Sequence, residues 1–504
     1  MSENVPNAIE EISEEDWAQT PESVKRLVRS LLGRIEQLEQ QYEELKAENA
    51  VLREQTQRNS KNSSRPPSPD VSTRFKPKDK KAKGKQRGAQ FGHEGHEQKL
   101  YPLEACQRVE DYYPDSCIEC DAVLTGSDPQ PYRVQNVDIP VVAPIVREHR
   151  FHTLTCERCG AKTRAWDARI INGSRYGERV VALVGVLSGQ YRQSHRMVQE
   201  LLRELFGVKL SVGSINQLRQ ESSASVAAAV SEVYDYVQQQ AHVNMDETSF
   251  AQGNSDGKNP KRSKGWLWVM VTPLVSYFAM SLSRSGVVCQ QLLGDAFAGI
   301  VGSDRFSAYN GLNLKNRQLC WAHLKRDLTQ IAERSGIAGK LGEALLEQQR
   351  LLFEQWYCVR DGTLSRTAFA KTVQPIRNQF HQLLTEGAGY DIAPKEKTPL
   401  AKTVRTCQQL LKVEPALWTF VTTEGVEPTN NAAERALRPA VLWRKNSFGS
   451  QSAEGSLFVS RMLTVVTSLR AQNRPVLEYL VQACRAARQN QSTPSLLPAQ
   501  DCAP

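Results

Sequence analysis

The chain has 504 residues, 40% hydrophobic and 24% charged, with a formal net charge of +9. That length exceeds one ordinary domain, and that composition excludes a disordered or fibrous chain. The longest apolar run, Val180–Leu187, is far too short to cross a bilayer, the start (Met1 to Asp16) is acidic rather than signal-peptide-like, and the mild basic excess points to a polyanion such as nucleic acid.

Residues 22–56 carry a heptad. Val28, Ile35, Tyr42 and Asn49 fall at a, and Val24, Leu31, Leu38, Leu45 and Leu52 at d. One Asn at an a position sets register and favours a parallel dimer, so this segment is expected to be a dimerising coiled coil. Residues 57–100 read as a disordered Ser/Pro and basic linker. Within it, "RFKPKDKKAKGKQRG" (74–88) holds eight Lys/Arg, among them Lys78, Lys80, Lys81, Lys83, Lys85 and Arg87. Such an arm is expected to bind phosphates and release their counterions.

Residues 101–170 hold two CxxC pairs, Cys117 with Cys120 and Cys156 with Cys159. Four thiolates suit one tetrahedral structural Zn2+. The gap between the pairs is long, and strand-like segments such as "YRVQNVDIPVV" are expected to return the chain as a hairpin. Cys106 is an alternative ligand. In residues 171–238, a helix from about Ser194, a stop at Gly207 and a restart at Ser211 follow a helix-turn-helix layout. Met197, Val198, Leu201, Leu202 and Leu205 line one face of its first helix.

From residue 242 the pattern becomes β-rich, then alternates strand and helix, as in a mixed sheet covered by helices. "NMDET" puts Asp246 at the end of one strand, and "GIVGSD" puts Asp304 at the end of another. As sheet neighbours they would share an edge. Downstream, Asn430 or Asn431 is expected to cap a helix with Glu434 in its first turns and Pro439 ending or kinking it. Three carboxylates so placed can hold two Mg2+ (or Mn2+) about 3.5–4 Å apart for in-line displacement at a phosphodiester. Glu247 points to the other side of the strand and is not counted as a ligand.

"SKNSSRPPSPD", "GAQFGHEGH", the CxxC pairs, "MDET", "SDRFSAY", "CWAHLKRDL" and "NNAAERALRP…RKN" occur in this order. Over nearly its whole length the chain resembles transposases of the insertion-sequence-66 family. The resemblance implies a multidomain α+β chain: coiled coil, zinc-binding β module, helix-turn-helix region, and a ribonuclease-H-like mixed α/β catalytic core with a helical insertion. The core would occupy 239–325 and 427–488, the insertion 326–426, and a disordered tail 489–504. The resemblance makes Asp246, Asp304 and Glu434 a DDE triad. It makes His323 of "CWAH" structural or DNA-contacting, and Arg435, Arg438, Arg444 and Lys445 phosphate ligands of the transposon end. The sequence after "RKN", "SFGSQSAEGS", departs from the family's usual Gly-rich loop. The implied activity is DNA strand cleavage and strand transfer after binding of terminal inverted repeats. It implies a bacterial cytoplasmic protein, nucleoid-associated during transposition, with homo-oligomers and accessory proteins of the same element. The competing class is a non-catalytic DNA-binding regulator, which loss of a triad carboxylate would favour; all three are present.

Overall fold

The computed structural model describes residues 14–59, 62–63, 100–171 and 173–498. The basic arm, with Lys78, Lys80, Lys81, Lys83, Lys85 and Arg87, lies outside the described residues, as does the end of the tail. Two compact units result: Met1–Asp70 with Gly173–His195 and Gly213–Pro504, and Val71–Asn172 with Arg196–Val212.

In the first unit, a short α1 (Glu14–Gln19) precedes a 35-residue α2 (Glu22–Thr56). Gly33 is its one weak helix former, and the heptad stays in phase from end to end. Its heptad residues Val24, Leu31, Ile35, Leu38, Tyr42, Leu45 and Leu52 are exposed, from 43% to 65%. They form a stripe of exposed apolar surface along the helix.

The second unit holds a hairpin of β1 (Thr153–Thr155) and β2 (Lys162–Arg164), with Thr155 opposite Lys162, and a short α3 (Ala168–Ile171). The expected strands between the cysteine pairs are absent from 131–150. Their alternating apolar residues find no covering surface: Val141 and Ile145 are at least 99% exposed. A period-2 pattern makes a strand only where one face can be buried.

In the first unit α4 (Glu178–Gly189) takes up the Val180–Leu187 run as a buried helix. α5 (His195–Phe206) closes at Gly207, whose N–H donates to the Arg203 carbonyl while that of Val208 reaches Leu202. α6 (Val212–Ser225) follows. All of α5 after His195 belongs to the second unit and α6 from Gly213 to the first. Of the expected apolar face of α5, Val198 and Leu202 are buried, but Met197 and Leu205 are exposed. α7 (Ala227–Gln238) leads into the sheet.

That sheet has five strands: β3 (His242–Ser249), β4 (Trp266–Val271), β5 (Ser276–Ser281), β6 (Ile300–Ser303) and β7 (Arg317–Leu319), with α8 (Gly286–Leu293) between β5 and β6. The order is β5-β4-β3-β6-β7. β3, β4 and β5 are antiparallel; β6 and β7 run parallel to β3. β3 does not end on its carboxylates but runs three residues past Asp246, because β4 pairs with it from Asn244 to Ser249.

After β7 come α9 (Trp321–Ala332), α10 (Ile337–Arg360), α11 (Arg366–Ala388), α12 (Pro399–Val413) and α13 (Thr419–Thr422). They bury their own core, including Trp321, Phe380, Trp418 and Phe420. α14 (Asn431–Ser447), α15 (Ala453–Ala471) and α16 (Val476–Arg488) return to the sheet and join α4 and α7 in the larger core. Pro439 does not end α14, which continues to Ser447. The missing proline N–H costs the Arg435 carbonyl its helical donor.

Both sheet edges are capped by side chains. Ser468 and Thr464 of α15 accept the outward N–H groups of Ser276 and Phe278 on β5, each at 3.0 Å. On β7, the Arg317 carbonyl accepts Thr419 Oγ1 at 2.6 Å, and Gln318 Oε1 accepts the Phe420 N–H at 2.7 Å. Among the described residues no helix is long and apolar enough to cross a membrane.

Candidate active site

His242 to Asn244 of β3 pair with Ile300 to Gly302 of β6 in parallel register. Continuing that register by two residues sets Asp246 level with Asp304, just past the end of β6. Asp304 terminates its strand in a turn, its Oδ1 accepting the Phe306 N–H at 2.8 Å. Buried Arg317 fixes the same point by donating to Ser303 Oγ at 3.2 Å and to the Asp304 carbonyl at 2.8 Å.

The third carboxylate arrives by a backbone clasp. The Cys320 N–H donates to the Ser303 carbonyl, and the Trp321 N–H donates to the Pro428 carbonyl. The Asn430 N–H donates to Cys320 Sγ at 3.1 Å. Asn430 sits at the N-cap of α14, yet its side chain does not cap the helix. Its Nδ2 donates instead to the Met245 carbonyl at 2.7 Å, the residue before Asp246. Glu434, one turn on, thereby faces the start of α9. There His323 Nε2 lies 3.4 Å from Glu434 Oε1 and Arg326 Nη2 lies 3.8 Å from Glu434 Oε2.

Asn430→Ala is expected to strand a buried carbonyl and loosen α14 from β3. Such losses cost about 1–3 kcal/mol, read as a lowered urea midpoint; an unchanged midpoint would remove the clasp.

The electrostatics make these groups one cluster. Burial pushes Asp246 up to about 8, with the Glu247 and Asp304 carboxylates adding to the rise. Burial alone would lower His323, but Cys320, Glu434 and Asp304 outweigh it and raise His323 to about 9. Glu247 points away as expected. Its carboxylate is fully buried, with Arg284 Nε at 2.8 Å and Tyr309 Oη at 2.5 Å. Arg284 also stacks on Phe306, 3.6 Å from its ring centre, so the residue beside Asp246 is braced against the turn that holds Asp304.

Of the expected phosphate ligands, Arg435, Arg438 and Lys445 are exposed on α14. Arg444 is not available: it donates to Thr248 Oγ1 at 2.9 Å and to the Ser249 carbonyl at 2.6 Å, tying α14 to β3. His323 is mostly buried against Glu434 rather than turned outward. Arg317 and the Arg284–Glu247–Tyr309 brace gave no signal in sequence. Arg326 did, being three residues after His323 on a helix.

Among the described residues no three His, Cys, Asp or Glu side chains close on one point as a metal demands. For Asp246, Asp304 and Glu434 the donor set nevertheless fits a cation. Buried Glu434 Oε1 accepts no hydrogen bond, and a desolvated carboxylate beside another is stable only with positive charge or protons.

The four expected zinc ligands, Cys117, Cys120, Cys156 and Cys159, likewise do not close into one group. They are free thiols on two separate turns, and Cys120 and Cys159 are exposed. The physical reason is the missing hairpin. Without strands across 131–150, no ladder returns the second turn to the first, and Cys120 and Cys159 stay apart. Each turn is nevertheless preformed, with identical wiring. The Cys117 N–H donates to Ala122 O and that of Asp121 to Cys117 O; the Cys156 N–H donates to Ala161 O and that of Gly160 to Cys156 O. Asp121, directly after Cys120, and Gly160, directly after Cys159, both have left-handed backbone. Backbone N–H groups lower the thiols of Cys117 and Cys156, with Cys120 and Cys159 adding side-chain hydrogen bonds, which favours thiolate.

The fold and site define a mixed α/β protein in which Asp246 and Asp304 stand level on two central parallel strands. Residues 173–457 match the family described as Transposase IS66 family, and the chain belongs to that family. Residues 11–99 match a family of unknown function (DUF6444). The chain is 23% identical over 402 residues to an uncharacterized protein, y4qI, of Sinorhizobium fredii (strain NBRC 101917 / NGR234), covering 74% of this chain and 70% of that protein.

Proposed function

We propose that the protein is an active DDE transposase that cleaves the ends of its insertion sequence and joins them to target DNA. The observation that supports this is the level placement of Asp246 and Asp304 on parallel neighbours, with Asn430, at the head of the helix that carries Glu434, bonded to the residue before Asp246. The strand order, three antiparallel strands then two parallel, supports a ribonuclease-H-like core. Asp246, Asp304 and Glu434 would hold two Mg2+ or Mn2+, which when bound activate the attacking oxygen and stabilise the leaving one. His323 and Arg326 orient Glu434. Arg435, Arg438 and Lys445 take phosphates of the end. A water oxygen attacks phosphorus and the 3′ oxygen leaves with a proton; that 3′-hydroxyl then loses its proton and attacks a target phosphodiester, whose own bridging 3′ oxygen leaves and takes up a proton.

End recognition is assigned to the basic arm, the helix-turn-helix region and the cysteine module. Cys117, Cys120, Cys156 and Cys159, drawn together, would hold one Zn2+. The exposed stripe of α2 buries itself on a second copy. Leu31→Lys with Leu38→Lys should therefore turn a dimer into a monomer in sedimentation; an unaltered mass rules α2 out as the interface.

The direct test is incubation of the full chain with Mg2+ and a duplex of the DNA that flanks its own coding region. Nicking at a fixed position is expected. Binding without any cleavage in Mg2+ or Mn2+ would favour the non-catalytic regulator.

A further inference from the structure

The loop between β3 and β4 (250–265) is a built structure. Asn259 is buried at its centre. Its Nδ2 donates to the carbonyls of Gln252 and Ser263, and its Oδ1 accepts the Ser263 N–H. The loop is zipped to the segment after α14. The Gly253 N–H donates to Ser450 O, that of Ser255 to Gln451 O, and that of Ser450 to Ala251 O. Asp256 accepts the Ala453 N–H at 2.8 Å, and Lys258 pairs with Glu454 at 3.2 Å.

What this scaffold holds out is cationic. Lys261, Arg262 and Lys264 are exposed, and among the described residues none has an ion-pair partner. Lys264 is steadied by the Trp266 ring, 4.7 Å away. Arg262 is held in left-handed backbone, φ 49°. Fixing three like charges against their mutual repulsion serves an anion that meets them together. The loop begins four residues beyond Asp246 on the same strand, about 13 Å at roughly 3.3 Å per residue.

We infer that Lys261, Arg262 and Lys264 grip the phosphate backbone of the DNA end beyond the carboxylate site, on the side to which β3 runs. This rests on the transposase reading. The loop follows the strand of Asp246 and is zipped to the segment that follows α14, so a phosphate held there is held by the sheet that carries Asp246.

The test measures binding of the full chain to the end duplex across a salt series, with Ca2+ in place of Mg2+ so that cleavage does not intervene. The variant is Lys261→Gln with Arg262→Asn, Asn being suited to the left-handed backbone. The matched control is Lys315→Gln with Arg377→Gln. These residues line a groove before β7, at the opposite end of the parallel strands from Asp304. Each phosphate contact contributes about 0.9 to the slope of log affinity against log salt. The loop variant should lower the slope by about 1.8 and the control should leave it unchanged. An unchanged slope in the loop variant overturns the inference, as does an equal fall in the control. If the wild-type chain binds neither end nor unrelated duplex, the transposase reading falls and this inference with it.

Discussion

Asp246→Asn is expected to abolish cleavage, by more than about a thousand-fold, and at the same time to stabilise the metal-free protein. The carboxylate is buried beside Glu247 and Asp304, which pushes it up to about 8. The sign follows from linkage. The folded value lies above the unfolded value of about 3.9, so the folded state holds a proton that the unfolded state releases. Its stabilising contribution is complete below about pH 4 and is lost as pH rises through about 8. In a chelator, wild-type melting temperature should therefore fall across that window, and the Asn variant should fall less. Near pH 8 the variant should melt about 5 °C higher. Mg2+ should raise the wild type and leave the variant in place. An Asn variant no more stable than wild type in chelator would mean that the carboxylate is solvated and the cluster is open.

The second large effect is expected at the cysteine module. Ile118, Val141 and Ile145 are essentially bare, so hydrophobic burial supplies little of its stability. A chain segment without a core is held by metal or by a partner. One Zn2+ per protomer is expected by elemental analysis. Cys156→Ser, or a strong chelator, should erase amide-exchange protection across 101–170 and weaken end binding about 100-fold, while the melting of the sheet-bearing unit stays where it was. Purified protein free of zinc yet protected in this segment would show that the knuckles stand without it.

Much of the site was legible because its signals are local. Asp304 follows a short apolar strand, Asp246 lies within one, and Asn430 announces a helix start four residues before Glu434. The α2 heptad is equally local, and the helix occupies the residues its pattern marks. What was not legible depends on partners distant in sequence. Asn430 reads as a cap because Asn usually caps, but Met245 O, 185 residues away, competes for its amide. Arg444 reads as a phosphate ligand until β3 claims it. Pro439 reads as a stop, yet α14 is held on both sides by packing, and tertiary contacts outweigh one lost hydrogen bond. The segment 131–150 fails as strands for the converse reason. Its alternation is present, and the second layer that would reward it is not. The two cysteine turns show the same division: each forms from its own few residues, while bringing Cys120 to Cys159 needs the chain between them.

The capped sheet edges bear on how copies of this chain tolerate one another. If, as proposed, several protomers gather on one DNA molecule, their local concentration is high, and a bare strand edge there would invite runaway pairing. Here Ser468 and Thr464 occupy the donors of β5, Thr419 occupies the Arg317 carbonyl of β7, and the Phe420 N–H holds the Gln318 side chain beside it. The long excursion between Asp304 and Glu434 thus acts as a hem, finishing the open side of the sheet. Protomers can crowd without knitting together, and assembly is left to surfaces that come apart again.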